Sequence, residues 1–185
     1  MFKNIVSSLF ALVAAPGKAW QSISSKEESQ ATFLNGYLYP IMGITALSVF
    51  VNLLNDQFTL EKALKLMTID FVKFFVGFYI ASFLIDELLQ KFFDREKNPK
   101  QVQLFVGYTL SVYMLITIFL NLFMGMFSFL RFAPLYIIYI IWEGSKYYMD
   151  INENKRLMFV VLSSLILIFS PDIIERFMFI LMPEL

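Results

Sequence analysis

The 185-residue chain contains no cysteine and no histidine. Without cysteine there is no disulfide, no thiolate metal site and no cysteine nucleophile. Without histidine there is no imidazole base, no serine–histidine pair and no imidazole metal ligand. The 7 glycines are scattered singly, so no glycine-rich loop is present to cradle a phosphate. Most enzyme classes thereby lose their usual parts. Only a carboxylate-based mechanism survives, and it ranks last among the readings below. No metal and no cofactor is called for. An excess of one charge is missing too: 15 Lys+Arg balance 15 Asp+Glu, and no basic run is free of acids. Nothing points to nucleic acid.

What the chain has in abundance is apolar surface. Hydrophobic residues make up 58%, against roughly 45–50% in soluble domains. Residues 103–127 form a stretch without a single charge. A bilayer core about 30 Å thick needs about 20 apolar residues of helix, so this stretch spans it. It lies mid-chain and is no removable targeting peptide.

Read in order, residues 2–13 are amphipathic, with Phe2, Ile5, Val6, Leu9 and Val13 on one helical face. Pro16 next to a cut after Ala15 disfavours a cleaved signal. We expect residues 1–32 to form a retained interfacial helix plus a polar connector, with Trp20 at headgroup depth. Residues 33–185 are expected to form the membrane domain. Its spans are expected at about 33–54, 68–89, 103–127, 132–149 and 157–182. Residues 60–67 read as a separate helical turn or two. Ser170-Pro171-Asp172 reads as a break in the last span. The expected fold is an all-α polytopic bundle of five transmembrane helices behind an N-terminal amphipathic helix.

Orientation follows from the positive-inside rule. With the N-terminus inside, ten basic residues lie on inner segments (Lys3, Lys18, Lys26, Lys91, Arg95, Lys97, Lys100, Lys146, Lys155, Arg156). Three lie on outer ones (Lys62, Lys65, Arg131). The expected placement is a bacterial inner (cytoplasmic) membrane, N-terminus cytoplasmic and C-terminus outside.

Three groups of residues are candidates for function. Charges at mid-membrane cost about 2.5–3.5 kcal/mol each on insertion scales, so Asp70, Lys73, Asp172, Glu175 and Arg176 stand out. They form either a polar site or local pairs, Asp70–Lys73 at three apart and Asp172–Arg176 at four apart. Asp86, Glu87 and Glu143 fall near one inner level, either binding a cation or reaching the headgroups. Gly107, Ser111, Asn121 and Gly125 share a face of the third span, as Gly77 and Ala81 share one with Asp70 and Lys73. Small residues at this spacing let helices approach closely, within the bundle or across a homodimer.

Short patterns resemble the Yip (Ypt/Rab-interacting protein) domain family in its bacterial branch. They are Ala15-Pro-Gly-Lys-Ala-Trp20 followed by Ile23, Tyr39-Pro40 opening the first span, and Gly107-Tyr108-Thr-Leu opening the third. The resemblance implies a five-span membrane protein with a cytosolic N-terminus, and no settled activity for bacterial members. The Asp-Leu-Tyr-Gly-Pro motif of eukaryotic members is not found, and no proline follows Gly107-Tyr108 at the family's usual place. A Rab-GTPase role is therefore not carried over. The expected function is a non-enzymatic membrane scaffold or organising factor. It would act through the lipid bilayer and through a membrane-protein partner or a second copy. The alternative is a small ion- or proton-coupled transporter using the intramembrane carboxylates.

Overall fold

The computed structural model describes residues 2–26, 28–123 and 128–183. All regular structure among them is helical. Helix α1 spans Phe2–Ala14 and α2 spans Pro16–Ser24. The first long helix, α3, covers Gln30–Leu54. Then come α4 (Leu60–Phe93), α5 (Pro99–Leu122), a 3₁₀ stretch Ser128–Leu135, α6 (Tyr136–Tyr147) and α7 (Glu153–Leu181). Side-chain caps start the long helices: Ser29, Thr59 and Asn98 each accept the backbone N–H of the residue three further on. Asp94, at φ 53°, ends α4 in the left-handed region.

Four helices, α3, α4, α5 and α7, are long and apolar enough to cross a membrane. Residues 132–149, expected as a further span, instead divide between the 3₁₀ stretch and the 12-residue α6. Alone, α6 rises only about 18 Å, short of a bilayer core. Pro134 lies inside the 3₁₀ stretch, whose tighter turn carries the chain into α6.

Two further local expectations differ from the structure, and Pro40 has a local effect of its own. Residues 60–67 are no separate turn, because no breaker separates Met67 from Thr68 and α4 runs on for 34 residues. At about 51 Å it overreaches the hydrocarbon core. In α3, Pro40 offers no N–H to the carbonyl of Gly36 and its ring crowds that carbonyl. The backbone widens into a π-helical turn over Leu34–Leu38, where Tyr39 N–H donates to Leu34 O. Pro171 does not break α7, which is helical on both sides of it. Ser170 Oγ donates to Ile166 O at 2.6 Å. Pro171 lies directly against Gly77 of α4, where a Cβ would stand 3.2 Å from Pro171 N. Packing on that small residue lets the helix continue through its proline.

The core is aromatic. Trp20, Phe33, Phe74, Phe78, Phe105 and Phe159 are fully buried. The outer sides of the long helices are apolar as well, with Leu47, Phe83, Leu165 and Phe177 exposed. That is the surface of a bundle solvated by lipid.

Candidate functional site

At the end of the bundle carrying the 55–59 loop, α3, α4, α5 and α7 enclose a cavity of about 440 Å³. Asp70 and Lys73 face it from α4, Tyr113, Thr117 and Asn121 from α5, and Glu175 from α7. Lys73 Nζ lies 2.6 Å from Asp70 Oδ1 and 2.9 Å from Glu175 Oε1. Its ammonium lies over the Phe74 ring, with Nζ 5.2 Å from the ring centre. Asp70 and Lys73 are buried, whereas the Glu175 side chain is 35% exposed. Asn121 Nδ2 donates to Ser48 Oγ at 2.8 Å and more weakly to Asp70 Oδ2 at 3.4 Å. Tyr113 donates its hydroxyl to Asp172 Oδ1 at 2.7 Å.

Three of the five charges singled out in this region, Asp70, Lys73 and Glu175, therefore meet around one lysine, and a fourth, Asp172, accepts from Tyr113 beside them. The fifth, Arg176, is exposed and makes no ion pair among the described residues, with Asp70 or with Asp172. The contributions of Tyr113 and Ser48 were not anticipated. A signal was present: Tyr113, Thr117 and Asn121 repeat every four residues, as a polar stripe on an apolar helix must if it faces a common partner.

The inner acids do not form a cation site. Among the described residues no group of three acids is placed to hold a metal ion. Asp86 Oδ1 accepts the backbone N–H of Asn98 at 3.2 Å, at the foot of α5. Glu87 pairs with Lys97 across the 94–98 loop, and with Lys91 at 3.6 Å. That carboxylate holds the Lys97 ammonium above its ordinary pKa. Glu143 stands elsewhere, over the start of α2: a Cβ on Gly17 would lie 2.7 Å from Glu143 Oε2. Lys146, three residues on, lies over the Tyr147 ring at 4.8 Å.

The small-residue face of α5 meets α3 of the same chain. A Cβ on Gly107 would come within 2.5 Å of the Phe33 ring and 3.3 Å of Leu38. Ser111 Oγ lies 2.9 Å from Tyr37 Oη, and Asn121 reaches Ser48 as above. Gly125 lies outside the described residues. Gly107→Ala pushes into a fully buried ring, and overpacking of this kind costs about 1–3 kcal/mol. A lowered melting temperature of the detergent-purified monomer is the expected result.

Trp20 is not at the bundle's edge. It is completely buried, donates Nε1–H to Ile140 O at 3.0 Å, and packs on Phe105 and Tyr148 with ring centres 5.4 and 5.2 Å away. Gly144 makes room for it, since a Cβ there would stand 2.8 Å from the indole. The expectation placed Trp20 by its depth in the bilayer; within the fold it is a core residue that fills the space beside Gly144.

A bundle of long apolar helices with apolar outer sides, enclosing one charged cavity, defines a multi-pass helical membrane protein. The Yip1 domain family model matches residues 10–171, most of the chain, and the protein belongs to that family. The match ends one residue before Asp172, so the acidic and basic residues of the last turns of α7 lie beyond it. Comparison with curated proteins and with solved structures yields no significant match.

Proposed function

We propose that this Yip1-domain protein is a non-enzymatic membrane organiser, acting through lipid and helix contacts made by its N-terminal helices. The proposal places it in a bacterial inner membrane, with the basic inner segments and the N-terminus cytoplasmic and the C-terminus outside. The observation that carries the reading is the two-sided apolarity of α1. Ile5, Leu9 and Leu12 bury against the bundle, while Val6 and Phe10 are 64% and 72% exposed. Tyr136 Oη donates to Val13 O at 2.8 Å and ties down the helix end. A helix clamped on one side and apolar on the other must set its free side in lipid or against another membrane helix.

The test is a photo-crosslinking side chain at position 10 in native membranes. A reproducible protein adduct, lost when Val6→Ser is added with the crosslinker kept at position 10 while the melting temperature stays unchanged, is expected. Failure to obtain any protein adduct sinks the partner-binding form of the proposal.

The charged cavity favours one second reading, a small ion- or proton-coupled transporter. Asp70, Glu175 and Lys73 sum to one negative charge at the cavity wall, which a monovalent cation would balance. Ion flux in proteoliposomes, abolished by Asp70→Asn, decides for it. Flux no greater than in protein-free vesicles decides against it.

A further inference from the structure

A second groove, of about 410 Å³, runs between the start of α2 and the outer side of α6. Lys18 and Gln21 line it from α2, and Tyr136, Tyr139, Glu143 and Tyr147 from α6. We propose that this groove binds the headgroup of a zwitterionic aminophospholipid, the ammonium at Glu143 and the tyrosine rings and the phosphate at Lys18. The inference rests on the reading that the chain works through lipid contacts, and it names the lipid class.

Three observations carry it. First, the groove holds one charge of each sign, and neither is used: Lys18 and Glu143 make no ion pair or side-chain hydrogen bond among the described residues. A half-buried carboxylate without a partner is costly in a poorly solvated setting, and an ammonium group supplies the partner. Second, three tyrosines line the same groove as the acid. Tyr136 and Tyr139 stand 5.7 Å apart at a tilt of 54°. Tyr147 already carries a cation, the Lys146 ammonium, against its ring. Aromatic rings grouped around an acid attract ammonium groups within about 6 Å. Third, Lys18 supplies the anion end, one residue beyond Gly17 in the first turn of α2.

The groove is also placed for a lipid. Tyr147 ends α6 at the polar 150–156 segment, and Glu143 is one turn in from it. From Glu143 the groove passes Tyr139 and Tyr136 towards Ala14 and the apolar α1. Polar groups thus lie near the loop and apolar ones further along, as a phospholipid needs with its headgroup at the surface.

The test is native mass spectrometry of the full-length chain in detergent, titrated with phosphatidylethanolamine or with phosphatidylglycerol. Both carry the phosphate, and only the first carries the ammonium. Phosphatidylethanolamine is expected to be retained about tenfold better, a preference of the size one buried ammonium–carboxylate contact sustains. Glu143→Gln should abolish the preference, and Lys18→Gln should weaken both lipids alike, each with an unchanged melting temperature. Tyr139→Leu provides an independent variant on the exposed wall and should also reduce the preference. Equal retention of the two lipids by the native chain, or a preference that survives Glu143→Gln, overturns the proposal. The crosslink at position 10 does not depend on the headgroup, so failure here leaves the broader reading separately testable.

Discussion

Lys73→Met is expected to destabilise the folded chain by about 3–5 kcal/mol, the cost of stranding a buried carboxylate without its cation. Lys73 is the only cation within ion-pair distance of Asp70 among the described residues, and it bridges to Glu175. Without it, Asp70 keeps only the long 3.4 Å contact from Asn121. Glu175 suffers less, because its 35% exposed side chain can turn to water or headgroups. The asymmetry gives a sharper check. Lys73→Met/Asp70→Asn should recover most of the lost stability, whereas Lys73→Met/Glu175→Gln should recover little. Thermal melting of the three variants in one detergent reads the cycle. If Lys73→Met melts with the native chain, the ion pairs are not structural, and the cavity's charges are free to serve transport.

Trp20→Ala is expected to cost about 3–5 kcal/mol, the range for truncating a large buried aromatic. The indole fills a space bounded by Phe105, Tyr148 and Gly144, and donates to Ile140 O. Trp20 is the largest side chain that α2 buries, and the long helices pack on one another without it, so the loss should fall first on α2. The expected result is faster limited proteolysis around residues 15–26 with the long helices still protected. Trp20→Phe retains most of the packing and loses only the hydrogen bond, at about 1 kcal/mol. Equal proteolysis of Trp20→Ala and native protein would mean that α2 is held by something other than this residue. Deleting residues 2–23 is accordingly a poor probe of partner binding, because it removes Trp20 from the core. Substitutions at the exposed Val6 and Phe10 avoid that difficulty.

The two sites differ in how far they could be read from the chain. Asp70, Lys73 and Glu175 were visible because a charge inside an apolar run is conspicuous at any position. Tyr113 and Ser48, which bond Asp172 and Asn121 beside them, were harder to see, because single hydroxyls are common in membrane helices and the four-residue spacing of Tyr113, Thr117 and Asn121 is a weak signal. The packing of Trp20 was hidden for a related reason: a tryptophan beside a membrane span gives no sign in sequence of the glycine, Gly144, that makes room for it. The Glu143 groove was invisible, since α2 and α6 are more than 100 residues apart in sequence.

Hydropathy and length alone determined that the chain is a helical membrane protein, because burying an unpaired backbone in lipid leaves few alternatives to the helix. Absent residue types determined which chemistry it lacks. Tertiary structure decided where helices end and bend, since proline is resolved by its neighbours: Pro40 widens α3 into a π turn, and α7 continues through Pro171 against Gly77. It also decided which charges meet. Periodicity orders residues along one helix, but the rotation and depth of each helix relative to the next are set by interlocking side chains, and those contacts are written only in the packed bundle.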